Sequence, residues 1–433
     1  MFASQTFRII AIRIAGAGLG LLAQVFASRF IGTEEFGRFA LVFVWLLLLG
    51  HLGTAGTSQL LYRLLSVYIE TGQRALAAGL VRVAMGGTLV ASGLIALIGF
   101  GVIQLGLLPL HAELVPLAIV TLLAVPLLAF QDFLEAVARG LDRPVSGIAP
   151  AYLLRHLAIV LGLLALLLAG QPATALTVMA LAIAGLIASI VIQYILLRPH
   201  LKAVIGNTVP CFKLGEWFRT AVPLAAVDLA EVLFFNVDVI ILGLMVPPEQ
   251  VALYFAASRL AQVLAYVPYG VSAATAQKYA ALGASGRRAE LQAMIGRSAL
   301  LATILTGLAA LALSLLAGPL LALFGSDFDQ ARQLVPVLCL GIVVACLLGP
   351  GEDVLNMLGQ ERLCSISFAL ALAVNVCVAI VMVPLFGPMG AAIATVLGLS
   401  ARGLLLAFFA YRSLGIILPA MGTHLFKVKE LPT

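Results

Sequence analysis

Between Ala175 and Leu197 the chain reads ALTVMALAIAGLIASIVIQYILL, 23 residues without a formal charge. A helix of about 20 residues crosses the roughly 30 Å hydrocarbon core of a bilayer. Apolar runs of this kind recur along most of the 433 residues. In lipid, a spanning segment has no water to satisfy its backbone, so these runs must be helices. Composition agrees: 63% of residues are hydrophobic, 10% are charged and mean hydropathy is +1.14, whereas soluble domains carry about 25% charged residues. The class is an all-α polytopic membrane protein.

Apolar length and polar breaks give about twelve spans, near residues 8–30, 37–61, 76–106, 113–138, 146–169, 173–197, 217–246, 250–277, 292–324, 331–358, 363–383 and 388–411. The first is too long for a signal-peptide core and lacks a small-residue cleavage pattern, so it is expected to be retained. The longest polar break, RPHLKAVIGNTVPCFKLGE at 198–216, is expected to be a cytoplasmic linker. It separates an N-terminal six-helix lobe (1–197) from a C-terminal six-helix lobe (217–411), with a cytoplasmic tail at 412–433. Basic residues such as Arg63, Arg139, Arg198, Lys278, Arg362 and Lys427 collect on alternate loops. The positive-inside rule therefore places both termini in the cytoplasm. The same loops account for the net charge of +6, so no nucleic-acid partner is expected. Cys211, Cys339, Cys346, Cys364 and Cys377 have no metal-ligand spacing and read as small apolar side chains. No metal site, cofactor or catalytic residue is expected.

The chain repeats itself. IGTEEFGRFALVFVWLLLL, starting at Ile31, returns in altered form as VPPEQVALYFAASRLAQVL, starting at Val246. Glu34 matches Glu249 and Phe39 matches Tyr254, both 215 residues apart. Farther on, ARGLDRP at 138–144 parallels MLGQERL at 357–363. That pairing sets Gly140 against Gly359, Asp142 against Glu361 and Arg143 against Arg362, all 219 apart. Six spans per half is an even number, so the halves are expected to be parallel repeats about an axis along the membrane normal. Two such lobes enclose a cleft that opens to either side in turn, which is a transporter's architecture. Asp142, Arg143, Glu361 and Arg362 are then candidates for a cytoplasmic gate closed by crossed pairs. Turn caps and positive-inside anchors are the alternative reading of the same four residues.

FIGTEEFGRFALV (30–42), NVDVIILGLMVPPEQVALYFAASRL (236–260), FGSDFDQA (324–331), LNMLGQER (355–362) and PLFGPMGAAIAT (384–395) together resemble the polysaccharide-biosynthesis transporters of the multidrug/oligosaccharidyl-lipid/polysaccharide flippase superfamily. The match covers most of the chain in the expected order, with Pro247-Pro248 departing from the usual pattern. The resemblance implies two MATE-like six-helix lobes in the cell inner membrane. It also implies the flipping of an undecaprenyl-pyrophosphate-linked oligosaccharide by alternating access. The partners implied are the lipid-linked glycan, membrane lipid, and a polysaccharide polymerase with its chain-length regulator.

A charged side chain at the bilayer centre costs about 2.5–3.5 kcal/mol on insertion scales, so each intramembrane charge is a site candidate. Asp228, Glu231, Phe235 and Asp238 fall on one face of a continuous helix. For Asp228 and Glu231, cavity lining competes with ion pairing and with a position at the cytoplasmic end. Asp238 reads as a cap or as the ion-pair partner of Arg259. Arg259 alternatively grips pyrophosphate, since a guanidinium matches phosphate oxygens bidentately. Arg155, His156 and Arg402 line a basic cavity or snorkel to the interface. Gln24 shares the first span with Arg29. The fourth-span acids Asp132 and Glu135 face the tenth-span acids Glu352 and Asp353 in the repeat. Gly16-x-x-x-Gly20 is read as helix packing, and Asp327-Phe328-Asp329 as a turn cap rather than a catalytic acid pair.

Lipid-linked oligosaccharide flipping leads. The alternatives are a cation-coupled multidrug exporter, whose usual first-span carboxylate is missing from 8–30, and another lipid flippase of the superfamily. An enzyme is not expected, because no outer domain carries catalytic acids.

Overall fold

A computed structural model describes residues 2–107, 111–206 and 208–420. It is helical, with no strand among the described residues. The chain forms two compact units, Met1–Leu233 and Phe234–Thr433.

The first unit holds α1 (Phe2–Gly53), α2 (Thr57–Glu70), α3 (Arg74–Gln104), α4 (Leu114–Gly140), α5 (Pro144–Leu168), α6 (Ala175–Ile205) and α7 (Leu214–Phe234). Helix α1 bends at Gly32, whose φ of 81° and ψ of 172° interrupt the helical turn. The helix restarts with Glu34 and Glu35 in its first turn, where the helix dipole favours acids. Both carboxylates pair with Arg38, as does Glu113 ahead of α4. Glu35 also accepts a hydrogen bond from the Ala175 amide at 2.7 Å and so caps α6. The buried core joins Leu61 and Leu65 of α2, Leu80 of α3, Phe133 and Leu134 of α4, Leu197 of α6 and Trp217 of α7. Trp217 donates its indole N–H to the Tyr68 hydroxyl at 3.1 Å. Gly16 and Gly20 pack where the sequence suggested: a Cβ on them would lie 2.8 Å from Tyr152 Cβ and 3.2 Å from His156 Nε2, both on α5.

The second unit holds α8 (Val237–Met245), α9 (Pro248–Val263), α10 (Tyr266–Ala284), α11 (Arg288–Leu315), α12 (Ala317–Ala322), a 3-10 turn (Ser326–Gln333), α13 (Leu334–Leu347), α14 (Gly351–Met357), α15 (Glu361–Phe386) and α16 (Pro388–Leu414). Its core gathers Phe234, Tyr279, Ile295, Leu355, Phe368 and Leu406. Pro248 opens α9 at its first helical position, where the missing amide hydrogen costs nothing. This is why the Pro-Pro pair is tolerated. Asp327 and Asp329 lie in the first turn of the 3-10 element, and no group of acids, histidines and cysteines able to hold a metal ion exists among the described residues.

Large apolar side chains face outward, with Leu168 82% exposed and Leu97 66% exposed, while Thr88, Gln193 and Asn375 are fully buried. That inversion is what a lipid solvent produces. Among the described residues ten segments, rather than about twelve, are each long and apolar enough to cross a membrane. The difference has two sources. The first two expected spans lie in one kinked segment, Ala11–Gly53, and the expected span 217–246 is divided between α7 and α8 at Phe235–Asn236. Around the segment expected to link the lobes, α6 continues to Ile205 and α7 begins at Leu214. Within it, Lys213 pairs with Glu216 at 3.0 Å, and that hydrogen bond raises the ammonium pKa above its ordinary value. Of the expected tail, residues 421–433, with Lys427 and Lys429, lie outside the described residues.

Local geometry tests the repeat. Gly32 (φ 81°, ψ 172°) and Pro247 (φ −58°, ψ 153°) are the non-helical residues before α1 restarts and before α9, alike in ψ and opposite in φ. They are 215 apart, the separation of Glu34 and Glu249. In the later turn the register differs from the sequence pairing. Asp142 and Gly359 both adopt left-handed φ, 56° and 76°. The amides of Asp142 and Arg143 bond back to Arg139 and Ala138, as those of Gly359 and Gln360 do to Asn356 and Leu355. The separation here is 217, not 219. Asp142-Arg143 therefore corresponds to Gly359-Gln360, and Glu361-Arg362 lies two residues later, at the start of α15. The four gate candidates are all exposed, but they are not equivalent positions of a repeat.

Candidate functional site

In the first unit, intramembrane polar groups converge near the end of α1. His51 lies at the centre, and the sequence reading did not single it out. Its Nδ1 is 3.2 Å from Asp228 Oδ2 on α7, and its Nε2 is 4.0 Å from Asp132 Oδ2 on α4. Gln59 of α2 donates to Asp228 Oδ1 at 3.0 Å. Asp132 Oδ2 is buried and makes no hydrogen bond. Glu231 stands one turn after Asp228 and acts electrostatically on His51. Asp228, for which ion pairing was one of the open readings, meets a histidine, a contact that is an ion pair when the imidazole is protonated.

A second layer is basic and aromatic. Arg139 pairs with Glu135 and lies 4.8 Å over the Tyr62 ring. Arg155 lies 5.5 Å over Phe43 and interacts electrostatically with Asp132. Arg13 lies 5.9 Å over Tyr152. Each guanidinium face meets a ring quadrupole, an arrangement that strengthens away from water. The Nε atoms of Arg139 and Arg155 are buried without hydrogen-bond partners. His156, beside Arg155, turns away: its Nδ1–H donates to the Tyr152 carbonyl at 2.9 Å and its other edge packs on Gly20. Gln24 is half-buried with an unpartnered Oε1.

In the second unit, the continuous face expected for Asp228, Glu231, Phe235 and Asp238 does not exist, because Asn236 interrupts the helix before α8. Asp238 is buried in the first turn of α8, and the expected ion pair with Arg259 is not formed. Asp238 instead accepts from the Val239 amide at 2.8 Å, from the Tyr254 hydroxyl and from the Thr395 hydroxyl at 3.3 Å. Arg259 meets Gln262 at 2.7 Å and Asn236 at 3.3 Å, and lies 4.4 Å over Phe255. Arg402 lies 4.7 Å over Phe368 and 5.7 Å over Phe234, with Glu352 at 3.7 Å.

The sequence therefore named most of the intramembrane charges but few of their partners. His51 stood in plain view as a lone titratable residue in VWLLLLGHLGTAG, and the cost of burying such a group was the signal that should have selected it. Arg139 reads in sequence as a loop cation, whereas its side chain lies over Tyr62 of α2.

The family model described as "Polysaccharide biosynthesis protein" matches residues 2–276, and the model described as "MatE" matches residues 223–381. No curated protein matches the chain. Among solved structures, an inward-facing multidrug resistance MATE family transporter of the MOP superfamily is 17% identical, with a TM-score of 0.76 over 93% of this chain and 97% of that one. The lipid II flippase MurJ in an inward closed conformation is 14% identical, with a TM-score of 0.71 over 92% of this chain and 86% of that one. A MOP superfamily transporter from Pyrococcus furiosus, described as having reverse polarity of its binding pocket, is 18% identical, with a TM-score of 0.60 over 94% of this chain and 93% of that one. At these identities the likeness is one of fold. The family-model match covers more than half of the chain, and it settles membership: this protein belongs to the polysaccharide biosynthesis protein family, transporters of the MOP superfamily.

Proposed function

We propose that this protein flips an undecaprenyl-pyrophosphate-linked oligosaccharide across the cell inner membrane by alternating access, as a step in export of a surface polysaccharide. The observation that carries the reading is the family match over residues 2–276. Three half-buried cations support it. Arg155, Arg259 and Arg402 lie in apolar helices, each over an aromatic ring, and among the described residues only Arg402 of the three has an acid within 4.0 Å. A pyrophosphate carries at least two negative charges through a region where an unpaired charge is costly, and guanidinium groups held this way offset that cost. A cation-coupled drug exporter of the usual kind is less well supported, since residues 8–30 contain no carboxylate.

The test is reconstitution. Proteoliposomes carrying a fluorescent undecaprenyl-pyrophosphate oligosaccharide are treated with an impermeant quencher. The protein is expected to make the inner-leaflet fraction accessible, and to leave a labelled cationic drug unmoved. Transport of the drug without movement of the glycolipid would overturn the reading.

A further inference from the structure

The tenth expected span, near 331–358, is broken: α13 ends at Leu347 and α14 begins at Gly351. Such a break leaves helical carbonyls without their usual amide partners. The Gly351 amide, which a continuous helix would give to Leu347, turns to the Gly349 carbonyl at 2.9 Å. The Leu347 carbonyl accepts instead from the Ala420 amide at 3.1 Å. Ala420 belongs to the segment after α16, residues 415–420, which lies over the break with Ile416, Leu418 and Ala420 buried. A Cβ on Gly349 would be 2.3 Å from the Leu418 carbonyl oxygen, and one on Gly351 2.9 Å from Leu418 Cδ1. From α11, Gln292 pairs with both polar backbone groups of Ile417. Its amide group donates to the Ile417 carbonyl at 2.6 Å, and its Oε1 accepts from the Ile417 amide at 2.9 Å. One short segment thus ties α11 to the joint between α13 and α14.

The first lobe has a counterpart. The segment after α6 docks on the start of α3: the Cys211 amide donates to the Ala75 carbonyl at 2.9 Å, and the Cys211 carbonyl oxygen would be 1.9 Å from a Cβ on Gly79. The turns before α3 and α11 fix the register, since Gly72 and Gly286, 214 apart, share left-handed φ of 73° and 68°. In that register Gly79 falls against Ala293, the neighbour of Gln292. Each repeat therefore lays the segment after α6 or α16 across the first turns of α3 or α11. The lobes differ in what lies beneath. The counterpart of α13 and α14 is α4, which runs unbroken from Leu114 to Gly140. A helix that is continuous in the first lobe is jointed in the second, and the joint is where residues 415–420 lie.

The joint bears on a candidate site residue. Glu352, in the first turn of α14, stands 3.7 Å from Arg402 on α16. We propose that residues 415–420 are a strap that sets the angle between α13 and α14, and that through it the strap holds Glu352 on Arg402. With the strap seated, Leu347 and Ile417 have their partners and the joint is fixed. With the strap lifted, α14 turns about Gly349, whose φ of 93° only glycine adopts freely, and Glu352 leaves the guanidinium. An Arg402 released in this way is open to a phosphate. That last step rests on the transport reading, whereas the strap does not.

Hydrogen exchange on the purified full chain in lipid nanodiscs, without substrate, tests the strap independently of transport. Gln292→Leu removes both bonds to Ile417, and Ala420→Pro removes only the amide given to Leu347. Protection of the peptide covering 346–358 is expected to fall by about tenfold or more in Gln292→Leu, the scale of two hydrogen bonds, and by about fivefold in Ala420→Pro, the scale of one. Residues 370–383 of α15 are expected to keep their protection. Modification of Arg402 by phenylglyoxal is expected to quicken in the same variants, and that of Arg155 to stay unchanged. Wild-type protection at 346–358 in Gln292→Leu overturns the strap. An equal fall at 370–383 overturns it too, because the whole lobe has then loosened. Arg402 modified at the wild-type rate beside a loosened 346–358 overturns the hold on Glu352. Should Gln292→Leu not fold, wild-type protection at 346–358 in Ala420→Pro overturns the proposal equally.

Discussion

Gly56 rests on the backbone of α7: a methyl group in place of its hydrogen would lie 2.3 Å from the Ala221 carbonyl oxygen and 2.9 Å from Ala225 Cβ. Its φ of 74° independently disfavours any side chain. Gly56→Ala therefore meets a clash and a strained backbone together. Because the obstructing atom is backbone, no rotamer change relieves it. The expected loss is about 1–3 kcal/mol of stability, read as a lower midpoint for loss of monodisperse protein on heating in detergent. An unchanged midpoint would mean that α7 does not pack against the turn between α1 and α2.

Asp238 is the buried acceptor for Tyr254 and Thr395. In membrane proteins such side-chain hydrogen bonds measure about 0.6 kcal/mol on average and up to about 1.7. The Asp238–Tyr254 pair is buried, so its coupling belongs at the upper end of that range. A double-mutant cycle with Asp238→Asn and Tyr254→Phe is expected to give about 1–1.7 kcal/mol. Strict additivity of the two single losses would show that Asp238 is held by its backbone contact and Thr395 instead.

How much of this was legible in the sequence follows from the range of each signal. Apolar length identified the helices because it is local, and Gly32 and Pro247 appeared at the separation that Glu34 and Glu249 announced. The later turn was misaligned by two residues for a physical reason. The left-handed position accepts either glycine or a short acid, so Asp142 in one turn does the work of Gly359 in the other. Matching residue types paired Gly140 with Gly359 and missed this. The breaks at Thr54–Gly56 and Phe235–Asn236 were hidden because both lie inside runs that remain apolar, and hydropathy does not register backbone angles. The partners of Asp228 were least accessible. His51 is 177 residues away in sequence, and no local pattern encodes a contact of that separation.

In the proposed function the half-buried arginines carry a load that structural residues would not. Arg155→Ala and Arg259→Ala are expected to reduce flipping of the pyrophosphate-linked substrate by about tenfold or more, the cost of losing a charge-assisted contact. Membrane insertion should be unchanged. Arg→Lys at either site should recover only part, because an ammonium neither forks onto phosphate nor stacks on Phe43 or Phe255 as a plane. The initial flipping rate in proteoliposomes, at matched protein density, is the measurement. Wild-type rates in both alanine variants would remove these residues from the transport path.

Topology gives the last prediction, and it bears on every assignment of side. The alternating basic loops place the α10–α11 turn, with Arg287 and Arg288, in the cytoplasm, and the uncharged α5–α6 turn outside. Ser285 and Gln171 are exposed in those two turns. Ser285 is a better probe than Gly283, where any side chain would meet Leu358. Single cysteines at Ser285 and Gln171, in a chain with Cys211, Cys339, Cys346, Cys364 and Cys377 replaced, should react differently in intact cells. An impermeant maleimide is expected to label Gln171→Cys from outside and to reach Ser285→Cys only after the membrane is opened. The two turns are separated by α6 through α10, including the divided α7 and α8. Opposite labelling therefore also requires that α7 and α8 together cross the bilayer once. Labelling of both positions from outside would show that the divided segment does not span, and would reverse the side assigned to every later loop.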